Sequence, residues 1–250
     1  MRPIAAEVLK LVRRRGLMIW SALLTMGSVV VIYAILLALH AANATRHGPA
    51  GGAHNLEHVM FLLSGLGGVA SIIIGSTAGS QDTSAGVFRD LVVTGQPRSK
   101  LFNVRFPGAL AVYLPMLAAA FGLALLGSYA FAGDEPTASA GTIAHWALYV
   151  GIDGIVQVAL AVGLTAFVSS RIVVGVLIAW NAIVSQILIS IGSLAGFRKA
   201  IDVAAIQHFA PKGAIDDKLM MSSGLALLVV VVWAAIALGA GRRWTQRIDA

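Results

Sequence analysis

The stretch LMIWSALLTMGSVVVIYAILLAL, residues 17–39, contains 23 residues and no charged side chain. A helix needs about 20 predominantly apolar residues to cross the hydrocarbon core of a bilayer, so this stretch predicts a membrane-spanning helix. The whole chain has the same character, because 58% of its 250 residues are hydrophobic and only 12% are charged. Soluble domains are about one quarter charged. We therefore interpret the chain as an all-α integral membrane protein.

Five further segments are long and apolar enough to span a membrane. One of them contains Asp153 and qualifies if that acid is tolerated inside the bilayer. The chain 1–250 then forms a single transmembrane domain, with a polar loop at 81–105 and an outer loop element at 198–218. The six predicted spans are 17–39, 59–80, 106–132, 142–170, 172–197 and 219–241.

The distribution of basic residues orients these spans. With the N-terminus in the cytoplasm, 13 of the 18 Lys and Arg residues lie on the inner side and 5 on the outer side. Cytoplasmic loops carry an excess of Lys and Arg. The pattern predicts a multi-pass protein of a bacterial plasma membrane with both termini in the cytoplasm, and it places the loop 81–105 there too.

Residues 3–15 precede the first span and predict an amphipathic elbow helix. Val8 and Leu11 can enter the membrane interface while Lys10 and Arg13 face anionic headgroups. The alternative is that these basic residues only set the orientation of the first span.

Several kinds of chemistry are excluded by the composition. The chain has no cysteine, and its GSTAGS segment at 75–80 lacks the lysine of a phosphate-binding loop. No span carries a histidine pair with metal-ligand spacing or a histidine base matched to a nucleophile. The bases lie beside apolar runs, which argues against a nucleic-acid partner. We predict no enzymatic activity, no metal site and no cofactor in this chain.

Polar residues inside the spans define a candidate path. Asp153 is the only acid within a predicted span, and Gln157 lies one helical turn further on. Asn181 and Ser185 share a face of the fifth span, with Gln186 near its edge. Ionisable groups at this depth usually face a protein interior or a water-filled cavity. These five residues either line a translocation path or form interhelical hydrogen bonds that only fix the packing.

Small residues recur every four positions in the second span, at Gly67, Ser71, Gly75 and Gly79. Such a stripe permits close approach of another helix. The residues do not indicate whether that helix belongs to the same chain.

The loop at 81–105 predicts a short amphipathic helix, which ends at the turn formed by Gly95, Gln96 and Pro97. Arg89 and Asp90 lie opposite its apolar arc. A helix of this kind can lie on the bilayer or occupy a groove in another protein, and its residues are compatible with both. The apolar arc consists of Val87, Phe88, Leu91 and Val92.

The segment DTSAGVFRDLVVTGQPRSKLFNVRFPGAL, residues 82–110, resembles the first cytoplasmic loop of type-2 ABC (ATP-binding cassette) transporter permeases, especially small actinobacterial ones. That family often has glutamate where this chain has Gln81 and Asp82. The six-span topology and basic N-terminal helix are similar too. The positions that match the family pattern are Asp82, Gly86, Arg89, Pro97, Arg98 and Arg105.

The resemblance implies that the loop helix is a coupling helix seated in a groove of a separate cytoplasmic ATP-binding subunit. Phe88 and Leu91 would be its apolar anchors, beside Val87 and Val92, with Arg89 and Arg98 at the polar rim. That partner would bind ATP and Mg²⁺. A second permease chain, identical or paralogous, would complete an exporter.

Two alternatives from other classes stay open. An ion- or proton-coupled secondary carrier could use Asp153, although such carriers usually contain internal repeats or broken helices. A non-transporting membrane scaffold or immunity protein could share the fold. The substrate of an exporter also stays open, because the polar positions suit drugs, lipids, peptides or ions, multidrug efflux included.

Overall fold

A computed structural model of the chain describes residues 2–86, 88–93, 95, 97–214, 219 and 221–247, except the side chains of residues 2, 83, 84 and 88–90. The elements in these ranges are helices, and six of them are long and apolar enough to cross a membrane. The predicted all-α fold with six helices of membrane-spanning length and hydropathy is confirmed for the described residues. The spans are span 1 (Arg15–Ala42), span 2 (Gly52–Ser84), span 3 (Arg105–Ala130), span 4 (Ala140–Leu164), span 5 (Ser170–Ser190) and span 6 (Ser223–Arg247).

Shorter helices lie between and before the spans. An N-terminal helix precedes span 1, and a loop helix lies between spans 2 and 3. A linker helix, preceded by a 3₁₀ segment, lies between spans 5 and 6. Their bounds are Arg2–Val12 for the N-terminal helix, Phe88–Val93 for the loop helix, Gly192–Ala200 for the 3₁₀ segment and Asp202–Gln207 for the linker helix, with two further helices at Ala44–His47 and Arg98–Asn103.

Span 5 ends at Ser190, earlier than the predicted limit of 197. Ile191 has an extended backbone with φ −75° and ψ 102°, which breaks the helical hydrogen-bond pattern. The Arg198 side chain folds back and donates from Nη1 to the Ile189 carbonyl at 3.2 Å. A cation at this position satisfies a terminal carbonyl and complements the helix dipole. Hydropathy alone did not reveal this end, because the residues that follow are also apolar.

Spans 2 and 4 form the centre of the bundle, whereas spans 1, 5 and 6 are mostly exposed at the periphery. Span 2 packs along spans 3 and 4, and span 4 also packs along span 6. Span 4 approaches span 6 closely at a pair of glycines, where a methyl group on Gly241 would lie 2.7 Å from the Gly163 carbonyl oxygen. Close backbone approach through small residues is a common way for helices to associate in lipid.

The N-terminal helix and the end of span 6 lie at the same end of the bundle. Lys10 of the N-terminal helix contacts Asp82 at the end of span 2, with 2.8 Å between Nζ and Oδ1. Arg98 donates from Nη1 to the Gln246 carbonyl at 3.2 Å. We call this end, which also carries the loop helix, the basic end.

The linker helix folds back against spans 4, 5 and 6, and residues 202–206 are buried. Two tryptophans hold this segment in place. Trp180 of span 5 donates from Nε1 to Asp202 Oδ1 at 2.9 Å, and Trp233 of span 6 donates from Nε1 to the Ala200 carbonyl at 2.8 Å. The segment between spans 5 and 6 is therefore part of the helical bundle.

Candidate functional site

A cavity of about 530 Å³ lies between spans 2, 4 and 5 and the linker helix. Four of the five residues proposed for a polar path line it: Asp153, Gln157, Asn181 and Gln186. Ser185 is buried beside the cavity and donates to the Asn181 carbonyl at 3.2 Å. The structure therefore brings this predicted group together in one region.

Gln157 and Asn181 join spans 4 and 5 through a reciprocal pair of amide hydrogen bonds. Gln157 Nε2 donates to Asn181 Oδ1 at 2.8 Å, and Asn181 Nδ2 donates to Gln157 Oε1 at 3.0 Å. Gln157 Nε2 also lies 3.4 Å from Asp153 Oδ1. These bonds satisfy the amide groups in apolar surroundings, where an unpaired amide would be costly.

A π-helical turn at Trp180–Val184 interrupts span 5 where it borders the cavity. Asn181 belongs to this turn and donates from Nδ2 to the Leu177 carbonyl at 2.8 Å. A π-turn adds one residue to a helical turn, and such bulges occur frequently at functional sites. Here the same turn directs Asn181 towards span 4 and Trp180 towards the linker helix.

Ser64 and Tyr149 complete the polar wall, and neither was predicted. Ser64 Oγ lies 3.4 Å from Asp153 Oδ2 and 3.2 Å from the Tyr149 hydroxyl. Tyr149 precedes Asp153 by one helical turn, as Gln157 follows it, so the periodicity of span 4 contained the signal for Tyr149. Ser64 comes from another helix, and its position depends on packing.

The linker helix forms one wall of the cavity through Val203 and Ile206. Asp202, at the first position of this helix, is fully buried, and burial raises the pKa of its carboxyl group, opposed by the hydrogen bond from Trp180. No feature of the sequence predicted that this loop residue would be buried.

At the basic end, a second polar group joins the N-terminal helix to spans 2 and 3. Asp82 lies between two bases, with Lys10 at 2.8 Å and Arg105 Nη2 at 3.8 Å from its two carboxylate oxygens. Arg105 also donates from Nη1 to the Gly79 carbonyl at 2.8 Å, and Lys10 pairs with Glu7. We call these four side chains, Glu7, Lys10, Asp82 and Arg105, the ion cluster.

The ion cluster is well shielded from solvent, because Glu7, Asp82 and Arg105 are 2%, 4% and 1% exposed. Burial raises the pKa of the Glu7 carboxyl, which Lys10 partly opposes. Burial lowers the pKa of Lys10, but the hydrogen bonds to Asp82 and Glu7 outweigh it and raise the pKa overall. The two acids and two bases of the ion cluster balance in charge. Buried ions are tolerated when they are paired with opposite charges in this way.

The loop helix follows span 2 in the chain and precedes span 3, the two spans that carry Asp82 and Arg105 of the ion cluster. Leu91 and Val92 are half-buried, and Val93 is 78% exposed. Val87 and the side chains of Phe88 and Arg89 lie outside the described residues. Arg98 lies after the loop helix and contacts the end of span 6.

The small residues of span 2 face different neighbours. Gly67 lies against Tyr113 and Leu117 of span 3, and the Ser71 hydroxyl is buried and donates to the Gly68 carbonyl at 2.7 Å. Gly75 and Gly79 lie against span 4, where a methyl group at either position would overlap backbone atoms or the Thr165 side chain. The C-terminal half of the stripe, Gly75 and Gly79, is therefore an interface between two helices of the same chain.

Replacing Gly75 with alanine is expected to lower the free energy of unfolding by about 1–3 kcal/mol, the usual cost of overpacking. The added methyl group would lie 2.9 Å from the Ala161 Cβ atom and 3.0 Å from the Val158 carbonyl oxygen. Gly65→Ala is the matched control, because no heavy atom lies within 4 Å of its added methyl group. Thermal unfolding in detergent, followed by tryptophan fluorescence, measures both. Equal midpoints would show that span 2 does not depend on this contact.

Comparisons with protein-family models and with curated proteins find no match to this sequence.

Proposed function

We propose that this chain is the membrane-spanning permease subunit of an ATP-driven exporter in a bacterial plasma membrane. In this proposal the basic end faces the cytoplasm, and the loop helix is a coupling helix seated on a separate ATP-binding subunit. The chain has no phosphate-binding loop, so ATP and Mg²⁺ bind to that partner.

The observation that carries this proposal is that the segments on both sides of the loop helix are tied to other helices of the bundle. On its N-terminal side, Asp82 lies in the last turn of span 2 within the ion cluster, and on its C-terminal side Arg98 is tied to span 6 and Arg105 to span 2. A partner that moves the loop helix would therefore move several connected helices together. A helix that only rested on the bilayer would not require the segments on both sides of it to be tied to other helices, through the buried ion cluster and the bond from Arg98 to span 6.

The cavity supports a transport role for the same chain. Ala182 and Gln186 line it and are both exposed, so the cavity reaches the surface of the chain at one edge of span 5. A second permease chain, identical or paralogous, covers this opening in the proposal and completes a path between two chains. Movement of spans 2 and 5 would change access to that path.

A secondary carrier is the alternative that the cavity itself favours. Asp153 lies near the middle of span 4 inside a cavity, which is the position of a proton- or ion-binding carboxylate in many carriers. Such a carrier would work without an ATP-binding subunit, and this difference separates the two functions.

Co-purification tests the proposal. We expect the tagged chain, extracted from native membranes in a mild detergent, to bring with it an ATP-binding protein and a second permease chain. The isolated complex should hydrolyse ATP. The carrier would be favoured instead if the chain were purified without any ATP-binding partner and if vesicles containing it took up a substrate in a proton-dependent manner.

A further inference from the structure

The described wall of the cavity contains one acidic side chain and no basic one. Among the described lining residues, Asp153 is the only acid, and no Lys, Arg or His lines the cavity. The nearest polar partners of Asp153 are neutral, with Ser64 and the Gln157 amide each at 3.4 Å. No ion pair involves Asp153 within the part of the chain that the structure describes.

This arrangement differs from that of Asp82 and Asp202, two buried acids elsewhere in the bundle. Asp82 has Lys10 at 2.8 Å and Arg105 at 3.8 Å, so the chain supplies its counter-charges. Asp202 accepts a hydrogen bond from Trp180 at 2.9 Å and is fully buried. Of these three acids, only Asp153 lines the cavity, and its partners are neutral groups at 3.4 Å. A carboxylate near the middle of a span strongly favours a cation beside it.

Apart from Gln186 and Gln207, the remaining walls are apolar and aromatic. Phe61 and Tyr149 lie on either side of Trp146, with ring centroids 5.3 Å and 5.7 Å from it in edge-to-face contact. Phe61 and Tyr149 line the cavity, and Ile72 and Ile206 face it from span 2 and the linker helix. Aromatic faces attract cations, and aliphatic walls bind the body of an apolar molecule.

The volume of the cavity favours an organic cation over a metal ion. A cavity of about 530 Å³ lies within the range of sites for drug-sized molecules and is much larger than a bare metal ion. Ca²⁺ and Mg²⁺ also need several oxygen ligands in a compact shell, whereas Asp153 is the single carboxylate among the described residues of this wall.

We propose that this cavity binds a monovalent organic cation with an apolar, aromatic body, and that Asp153 is its counter-ion. The inference rests on the proposed transport function and names the substrate class of that transporter. The polar pair Gln157 and Asn181 closes one wall, and Phe61 with Tyr149 receives the aromatic part.

Tetraphenylphosphonium and tetraphenylborate test this directly, because they have nearly the same size and shape and opposite charge. The full chain is reconstituted in nanodiscs of zwitterionic lipid, and equilibrium dialysis measures binding after subtraction of nanodiscs without protein. We expect saturable binding of the cation and at least about tenfold weaker binding of the anion, since tenfold corresponds to about 1.4 kcal/mol.

Asp153→Asn should weaken binding of the cation by about tenfold or more and leave that of the anion unchanged or improved. Asp134→Asn is the matched control, because it removes the same charge from an exposed loop and should not change binding. Equal affinity for both ions in the unaltered protein, or unchanged cation binding in Asp153→Asn, would overturn the inference. The comparison of the two ions needs no variant, so it decides the question even if Asp153→Asn does not fold.

Failure of this test is distinguishable from failure of the proposed function. A chain that co-purifies with an ATP-binding subunit and binds neither ion would still be a permease, with a substrate of another class. A chain that binds the cation in nanodiscs but co-purifies with no ATP-binding protein from native membranes would be a cation-binding carrier.

Discussion

Replacing Arg105 with methionine is expected to lower the free energy of unfolding by about 3 kcal/mol, the lower part of the range for breaking a buried ion pair. Arg105 is 1% exposed, donates to the Gly79 carbonyl at 2.8 Å and lies 3.8 Å from Asp82. Methionine keeps the unbranched apolar stem of the side chain and removes the charged guanidinium group. Asp82 would retain Lys10, which is why we expect the lower part of the range.

Arg98→Met is the matched control for this prediction. Arg98 also makes one hydrogen bond to a carbonyl, that of Gln246, but this bond is exposed to solvent. Its loss should change stability by less than about 0.5 kcal/mol. Thermal unfolding of both variants in the same detergent gives the comparison. Similar midpoints for Arg105→Met and Arg98→Met would mean that burial of the ion cluster contributes nothing to the fold.

Phe88→Asp is expected to weaken binding of the ATP-binding subunit by at least about thirtyfold, the size of effect found for central anchor residues. The reason is that aspartate would place an unpaired charge in the apolar arc of the loop helix, which the proposal seats in a groove. ATP-dependent transport and stimulation of ATP hydrolysis should fall in parallel. Insertion in the membrane should not change, since the six spans are untouched.

Val93→Asp provides the control for the loop helix. Val93 is 78% exposed and lies outside the apolar arc, on the side of Arg89. The same charge at this position should leave binding of the partner nearly unchanged. Equal losses from both substitutions would point to a general effect of negative charge, and no loss from either would remove the loop helix from the interface.

The architecture of the spans could be predicted because it depends on local composition. A charge-free stretch such as 17–39 must be helical in lipid, where each backbone group needs an internal hydrogen bond. The grouping of Asp153 with Gln157 and of Asn181 with Ser185 followed from helical periodicity within one span. That these two faces lie together across spans 4 and 5 was a hypothesis. In the structure the two faces are in contact through the hydrogen bonds between Gln157 and Asn181, at 2.8 Å and 3.0 Å.

Features that depend on tertiary contacts could not be predicted in the same way. Glu7 and Asp82 are far apart in sequence, and each resembles a solvated acid beside a membrane until Lys10 brings them together. The burial of Asp202 depends on a linker that folds back, and neither its composition nor its length indicates that return. The π-turn that directs Asn181 also has no distinct residue pattern.

Cross-linking from the loop helix tests the central claim most directly. The chain has no cysteine, so Val93→Cys can be labelled at a single site with a benzophenone maleimide in native membranes. Val93 is exposed and lies outside the apolar arc, so the label should not displace the partner, and its long linker reaches from there to the walls of the proposed groove. After illumination and purification of the tagged chain, we predict a covalent adduct with an ATP-binding protein. Glu135→Cys, exposed between spans 3 and 4, should give no such adduct. Adducts with lipid alone from position 93, or the same protein adduct from both positions, would contradict the account.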